Sequence, residues 1–277
     1  MKKTAYFEKA LWCSKSELPL KRKGHSFFVR GSEKPRLADC EGILVDKYAF
    51  QKHESVKGKV NLFYSKTPFP EYERNEDIGT LLSKSRDRVF ADLLNRSIPF
   101  HSKVLEVGCG TGQLGNFLAI SGREILSVDM CLNSLRLAEN FRSEQKISSI
   151  KFMQGDLFDL ALRKKYFDVV ICTGVLHHTS DPKKGFENFL KYLRPNGIII
   201  VGLYNKIMRL PLILKKPLFK IFKEKAAFLD PYLKRYKISG KKKTAWINDQ
   251  YLHPHESTHT IDEVLMWFQT HNVQFIR

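Results

Sequence analysis

The stretch Val104-Leu105-Glu106-Val107-Gly108-Cys109-Gly110-Thr111-Gly112 is where this sequence is equipped for chemistry. A short apolar strand ends, the chain turns through three glycines at alternate positions, and a helix begins. Glycines at such a turn let the backbone approach a ligand, and the first helical turn offers free N–H groups. The next strand ends in Val128-Asp129, and in an open α/β sheet its carboxyl end lies beside the first. Asp129 then points into the same crevice, where one carboxylate can accept hydrogen bonds from both hydroxyls of a ribose. Gly110, Gly112 and Gly115 also satisfy GxGxxG, the fingerprint of a dinucleotide site. Glu106 argues against that reading, because an acid at the end of the first strand repels a pyrophosphate and serves a cation.

Further along, Gly155-Asp156-Leu157 follows a third strand, and Phe167-Asp168-Val169-Val170 with Val175-Leu176-His177-His178 frames a fourth. Leu193-Arg194-Pro195-Asn196-Gly197 precedes a fifth. In order and spacing, these segments together with 106–112 and Asp129 resemble the motifs of class I S-adenosylmethionine-dependent methyltransferases. The likeness covers 100–203 well and 246–277 more loosely, and is closest to the branch holding ubiquinone and menaquinone methyltransferases and many small-molecule enzymes. It implies S-adenosyl-L-methionine as cofactor, bound by Glu106, Gly108, Cys109, Gly110, Gly112, Asp129, Met130, Asp156, Leu157 and Thr173. Asp129 would hold the ribose, Asp156 would meet the adenine amino group, and Leu157 would pack on the ring. The implied function is methylation of a small-molecule or lipid-like acceptor at oxygen or carbon. Two alternatives stay open: an RNA methyltransferase, and a non-catalytic scaffold, although a scaffold has no need of three carboxylates converging on one cleft.

Methyl transfer asks for in-line positioning and, where the acceptor must lose a proton, a base. His177 follows the fourth strand at the crevice and is the candidate catalytic residue, while His178 is read as holding the loop. Cys172-Thr173-Gly174 stands where adenine and glutamine N-methyltransferases carry an Asn-Pro-Pro-Tyr type of segment. His255-Glu256-Ser257-Thr258-His259 spells HExxH, which binds zinc only on a continuous helix. Pro254 precedes it, and the capping box Thr260-x-x-Glu263 starts a helix after it, so the histidines belong to a loop and no metal site is expected. Asp249, Tyr251, His253, His255 and His259 form a polar cluster expected near the acceptor side. Tyr64, Phe69 and Tyr72 could close over the cofactor from the N-terminal side.

The elements that must position these groups are legible as alternating apolar runs and amphipathic segments. Strands are expected at Val104–Val107, Glu124–Val128, Ile150–Met153, Phe167–Cys172 and Gly197–Leu203, with helices at 112–120, 132–143 and 182–193. That alternation implies crossovers, hence an α/β, doubly wound, mostly parallel, Rossmann-like sheet. Residues 1–60 read as a basic N-terminal extension and 61–99 as a linker with a helix near 79–96. Residues 100–277 read as the S-adenosylmethionine-binding domain, with a sixth strand starting at Val273 and no strand after it. The insertion 204–245 is expected to form a lid over the acceptor pocket, its Leu218, Ile221, Phe222 and Ala226 sharing a helical face.

The charge is concentrated at two places. Residues 1–36 hold 10 Lys and Arg against 3 Glu, and residues 203–243 hold 13 against 2 acids, which together give the net +18. Such segments suit an anionic membrane surface or RNA. Five scattered cysteines form no CxxC pair, and Glu8 and Lys9 break the apolar stretch a signal peptide needs after Met1-Lys2-Lys3. A cytoplasmic protein, peripheral at the membrane, is the expectation.

Overall fold

The structure is a computed structural model that describes residues 4–276 apart from 14–17, 31, 33–34, 47–55, 71, 73–75 and 88. Met1–Lys3, Gly31 and Arg277 therefore lie outside the described residues. Helix α1 (Thr4–Ala10) is followed by four short strands, β1 (Lys21–Lys23), β2 (Ser26–Phe28), β3 (Pro35–Cys40) and β4 (Ile43–Asp46). Three helices come next: α2 (Val56–Lys66), α3 (Ile78–Arg86) and α4 (Val89–Ser97). The single helix expected near 79–96 is thus two, with Asp77 capping α3 through a bond from the Thr80 N–H.

The β/α alternation begins with β5 (Lys103–Val107), α5 (Gln113–Ile120), β6 (Glu124–Asp129), α6 (Leu132–Glu144) and β7 (Ile150–Gln154). It continues through β8 (Phe167–Thr173), α7 (Pro182–Leu190) and β9 (Leu193–Gly202). Helix α7 starts behind Asp181, which accepts from the Lys184 N–H, and it ends before residue 193 because Leu193 already pairs with Phe167. Among the described residues the strands form one nine-stranded sheet in the order β1-β2-β3-β4-β7-β6-β5-β8-β9. Pairing is parallel from β4 to β9 and antiparallel from β1 to β4. The stretch read as a basic extension therefore contributes a meander to the sheet edge beside β7, fastened by the buried pair Arg36–Asp46 at 2.7 Å. At the other edge the expected strand at Val273 does not form; α11 (Ile261–Thr270) is followed by residues in no strand.

Side chains alternate across each strand, so one sheet builds two cores. Leu105, Val107, Leu126 and Val170 pack with Phe7, Phe186, Phe189 and Trp267, from α1, α7 and α11. Val104, Ile125, Val169 and Ile171 pack with Leu81, Leu94, Phe117 and Leu135, from α3 to α6. Glu106 and Ser127 fall in register on the second face, opposite each other.

The insertion 204–245 and the six residues after it fold as α8 (Lys206–Phe222), a 3-10 stretch Lys223–Leu229, α9 (Pro231–Arg235) and α10 (Gly240–Tyr251) around a small core of Phe219, Ala226, Leu233, Ile247 and Tyr251. Leu218, Ile221 and Phe222, expected to face inward, are exposed; Phe219 is the buried residue, stacked on Tyr251 at 3.7 Å. No helix among the described residues is long and apolar enough to cross a membrane.

One buried cation fastens this module to the body. The guanidinium of Arg209 meets Glu256 at 2.8 Å and donates to Gln250 Oε1 at 2.6 Å, and it lies 3.9 Å from the centre of the Tyr204 ring. Removing one member of a buried pair strands the other charge. Arg209→Met is expected to cost about 3 kcal/mol, read as a lower urea midpoint with faster amide exchange in α8 and α10; unchanged exchange there would contradict this anchoring role.

Candidate active site

The carboxyl ends of β5, β6, β7 and β8 surround a cavity of about 390 Å³, a size typical of small-molecule sites. Its floor is the glycine turn. Gly110 has φ +54°, a region side chains avoid, and a Cβ there would sit 2.6 Å from the Phe69 carbonyl oxygen. Asp129 holds this turn, with Oδ2 accepting from the Gly110 N–H and Oδ1 from the Cys131 N–H, both at 2.8 Å. Burial pushes its carboxyl above the usual range, and those two N–H groups oppose the shift.

Glu106 is buried beside the same turn, and its Oε2 accepts from the Ser127 hydroxyl at 2.6 Å. Burial pushes its carboxyl up to about 7, with the Ser127 bond pulling the other way. Asp156 accepts from the Phe158 N–H at 3.1 Å and pairs with Lys57 at 2.7 Å. Of the expected cofactor residues, Glu106, Gly108, Cys109, Gly110, Asp129, Met130, Asp156, Leu157 and Thr173 all line the cavity. Gly112 does not. It caps the start of α5, pressed against Ala138 and Phe152.

The far wall comes from distant parts of the chain. Tyr64 on α2 donates to Asp249 Oδ1 on α10 at 2.9 Å, and the Gln250 side-chain amide donates to Asp249 Oδ2 at 2.8 Å. Asp249 is buried, which pushes its carboxyl up, and with Tyr64, Gln250 and Tyr204 it lines the cavity. Phe69 lines it as well, whereas Tyr72 stacks on Phe141 away from it. Of the insertion 204–245, expected to form a lid, Tyr204 alone lines the cavity among the described residues; Asp249 and Gln250 belong to the part of α10 that follows it, and no residue of α8 lines the cavity.

The two histidines after β8 part company in a 3-10 turn, Leu176–His178. His177 is 1% exposed and stacked on Tyr204 at 3.7 Å, and neither ring nitrogen has a hydrogen-bond partner among the described residues. Burial pushes its pKa down to about 2. It sits behind the wall, so the candidate catalytic residue of the sequence does not reach the cavity. His178 does, with Nδ1 2.9 Å from the His255 carbonyl oxygen and burial pushing its pKa down to about 4. The neutral ring donates from Nδ1 to that carbonyl, which leaves Nε2 as its basic nitrogen.

Residues 255–259 form no helix, and His259 makes an isolated bridge to Asn205. Glu256 pairs with Arg209 and with Lys216 at 2.6 Å, His255 Nε2 meets the Thr179 carbonyl, and His259 lies between Ser257 and Glu263. The HExxH letters thus spell a strap that fixes the insertion. Of the rest of the polar cluster, the His253 ring lies 3.7 Å from that of His178 at a tilt of 34°, while Tyr251 turns away to bond Asp230.

A profile of the methyltransferase domain family matches residues 100–260. The ubiquinone biosynthesis O-methyltransferases of Rickettsia canadensis and Haemophilus ducreyi are 29% and 30% identical to this chain over 107 and 115 residues. Those matches cover 39% and 40% of this chain and 44% and 48% of the relatives, so the chain spans under half of their length. The structure of PKMT2 from Rickettsia typhi superposes with a TM-score of 0.52 at 22% identity, over 61% of this chain and 38% of that one, which is a likeness of fold. The glycine turn, the acids at three successive strand ends and a profile covering more than half of the chain lead to one assignment: this protein belongs to the methyltransferase domain family, among the class I S-adenosylmethionine-dependent methyltransferases.

Proposed function

We propose that this protein transfers a methyl group from S-adenosylmethionine to a hydroxyl or an activated carbon of a small-molecule or lipid-like acceptor. The observation that carries the reading is one cavity joining two sets of groups: Glu106, Asp129 and Asp156 at the strand ends, and the Asp249–Tyr64 pair on the opposite wall. The residues fit the cofactor. A buried carboxyl at Glu106 suits an ammonium group and would repel a pyrophosphate. Asp129 spends one lone pair of each oxygen on the backbone and keeps others for ribose hydroxyls. Asp156 and Leu157 would hold the adenine amino group and ring.

When bound, S-adenosylmethionine supplies a methyl group on a positively charged sulfur. The chain's own part is to position the acceptor and to take its proton. Asp249 is placed for this, since a buried carboxylate with a raised pKa is a competent base and the Tyr64 and Gln250 bonds fix its orientation. His178 is the second basic group on the wall. A phosphate-binding reading for RNA finds little support here: the one Lys or Arg among the described lining residues is Lys57, already paired with Asp156.

Asp249→Asn keeps the shape and removes the base. It is expected to lower kcat about 10²–10⁴-fold on a phenolic or enolic acceptor, with cofactor affinity unchanged; an unaltered kcat would remove Asp249 from the chemistry. Glu106 sets a pH dependence. Its folded-state pKa lies above the usual carboxyl range, so protonation favours the folded, empty protein, and that stabilisation is lost as pH rises through about 7. Cofactor binding needs the ionised form. Affinity should therefore rise by up to about tenfold per pH unit below that point and level off above it. Titrations at a series of pH values, with Glu106→Gln giving weak and flat affinity, check this; a pH-independent wild type would contradict it.

A further inference from the structure

Helix α8 is built the wrong way round for a surface helix in water. Its inner side, Arg209, Leu212, Lys216 and Phe219, packs on the insertion core and on Glu256. Opposite, at three- and four-residue spacing, stand Ile207, Leu210, Leu214, Leu218 and Ile221, exposed to 77%, 52%, 70%, 41% and 70%. A helix bordering solvent ordinarily carries its charges on that side. Here the charges flank the stripe: Lys206, Lys220, Lys223 and Lys225 are all exposed. The two acids of the segment are occupied, Asp230 buried as the cap of α9 and Glu224 bonded to Thr244.

We infer that α8 lays this protein on an anionic membrane surface, its apolar stripe sunk to the acyl boundary and its lysines among acidic headgroups. Amphipathic helices bind this way when a cationic flank accompanies an apolar face. At 17 residues the helix is roughly 25 Å long, enough to lie along a bilayer surface. Charge selects this occupant over others. A second copy of the same face would bring two basic segments together, and RNA would satisfy the lysines while leaving the stripe in water. The surface is also well placed: α8 rests on α10, which gives Asp249 and Gln250 to the cavity wall. The inference does not depend on the methyltransferase reading, and neither does its test.

Flotation of the full chain with vesicles tests it. Vesicles holding about 30% phosphatidylglycerol in phosphatidylcholine should carry the protein at least about tenfold better than phosphatidylcholine alone. The double variant Leu214→Asp, Ile221→Asp should lose that binding with its thermal midpoint unchanged, since both side chains are exposed. Val89→Asp, at a comparably exposed apolar site on α4, should bind as the wild type does. Full flotation of the double variant, or no preference for acidic vesicles, would overturn the inference. So would a wild type that ignores vesicles and instead forms a dimer, or binds single-stranded RNA, through the same two residues.

Discussion

The carboxylate of Asp129 is the tie on which the rest of the cleft depends. One oxygen holds the Gly110 N–H after β5, and the other holds the Cys131 N–H at the start of α6. Two adjacent parallel strands are thereby locked at their carboxyl ends, and the turn between β5 and α5 stays open in one geometry. A half-buried carboxylate is expensive unless its lone pairs are met, and the backbone meets one on each oxygen. The cavity floor is then a consequence: Gly110 lies under Phe69, and the Thr111 hydroxyl donates to the Pro70 carbonyl at 2.6 Å.

The same register places Glu106. Strand alternation puts it on the α5 face beside Ser127, and Gly115 on α5 makes the room. A Cβ at residue 115 would lie 2.6 Å from Glu106 Oε2 and 2.5 Å from Ser127 Oγ. The third glycine of the GxGxxG letters thus accommodates a buried acid rather than a pyrophosphate, which resolves the ambiguity between the two readings of that motif. The opposing wall depends on a second tie, the Arg209–Glu256 pair, which holds α8, α10 and the 255–259 strap together around Tyr204.

Much of this was legible in the chain because the signals are local. The segment 104–112, Asp129, Gly155-Asp156-Leu157 and the caps at Asp181 and Thr260 each combine residue type with short spacing, and each lies where that spacing requires. The misses share a cause: they turn on phase or on long range. Tyr64 and Asp249 meet across 185 positions, and no periodicity connects them. His177 and His178 are neighbours in a tight turn, and a one-residue rotation decides which reaches the cavity. Three of the four strands around Gly24 and Gly42 have only three or four residues, too few to show alternation, so the β1–β4 meander read as an unpatterned extension. On α8 the apolar face was visible, but apolar residues usually face a core, and here they face outward. Val273 begins no strand, since its N–H donates back to the Phe268 carbonyl at the end of α11 and no strand pairs with it among the described residues.

The central claim is that the Glu106, Asp129 and Asp156 cleft takes a cationic nucleoside rather than a dinucleotide. Isothermal titration of the purified chain with S-adenosylmethionine, its demethylated product and NAD tests this most directly. Micromolar binding of the first two, with none of NAD, is the predicted result. Binding of NAD, or no binding of either adenosyl compound at a pH above that of the Glu106 transition, would contradict it.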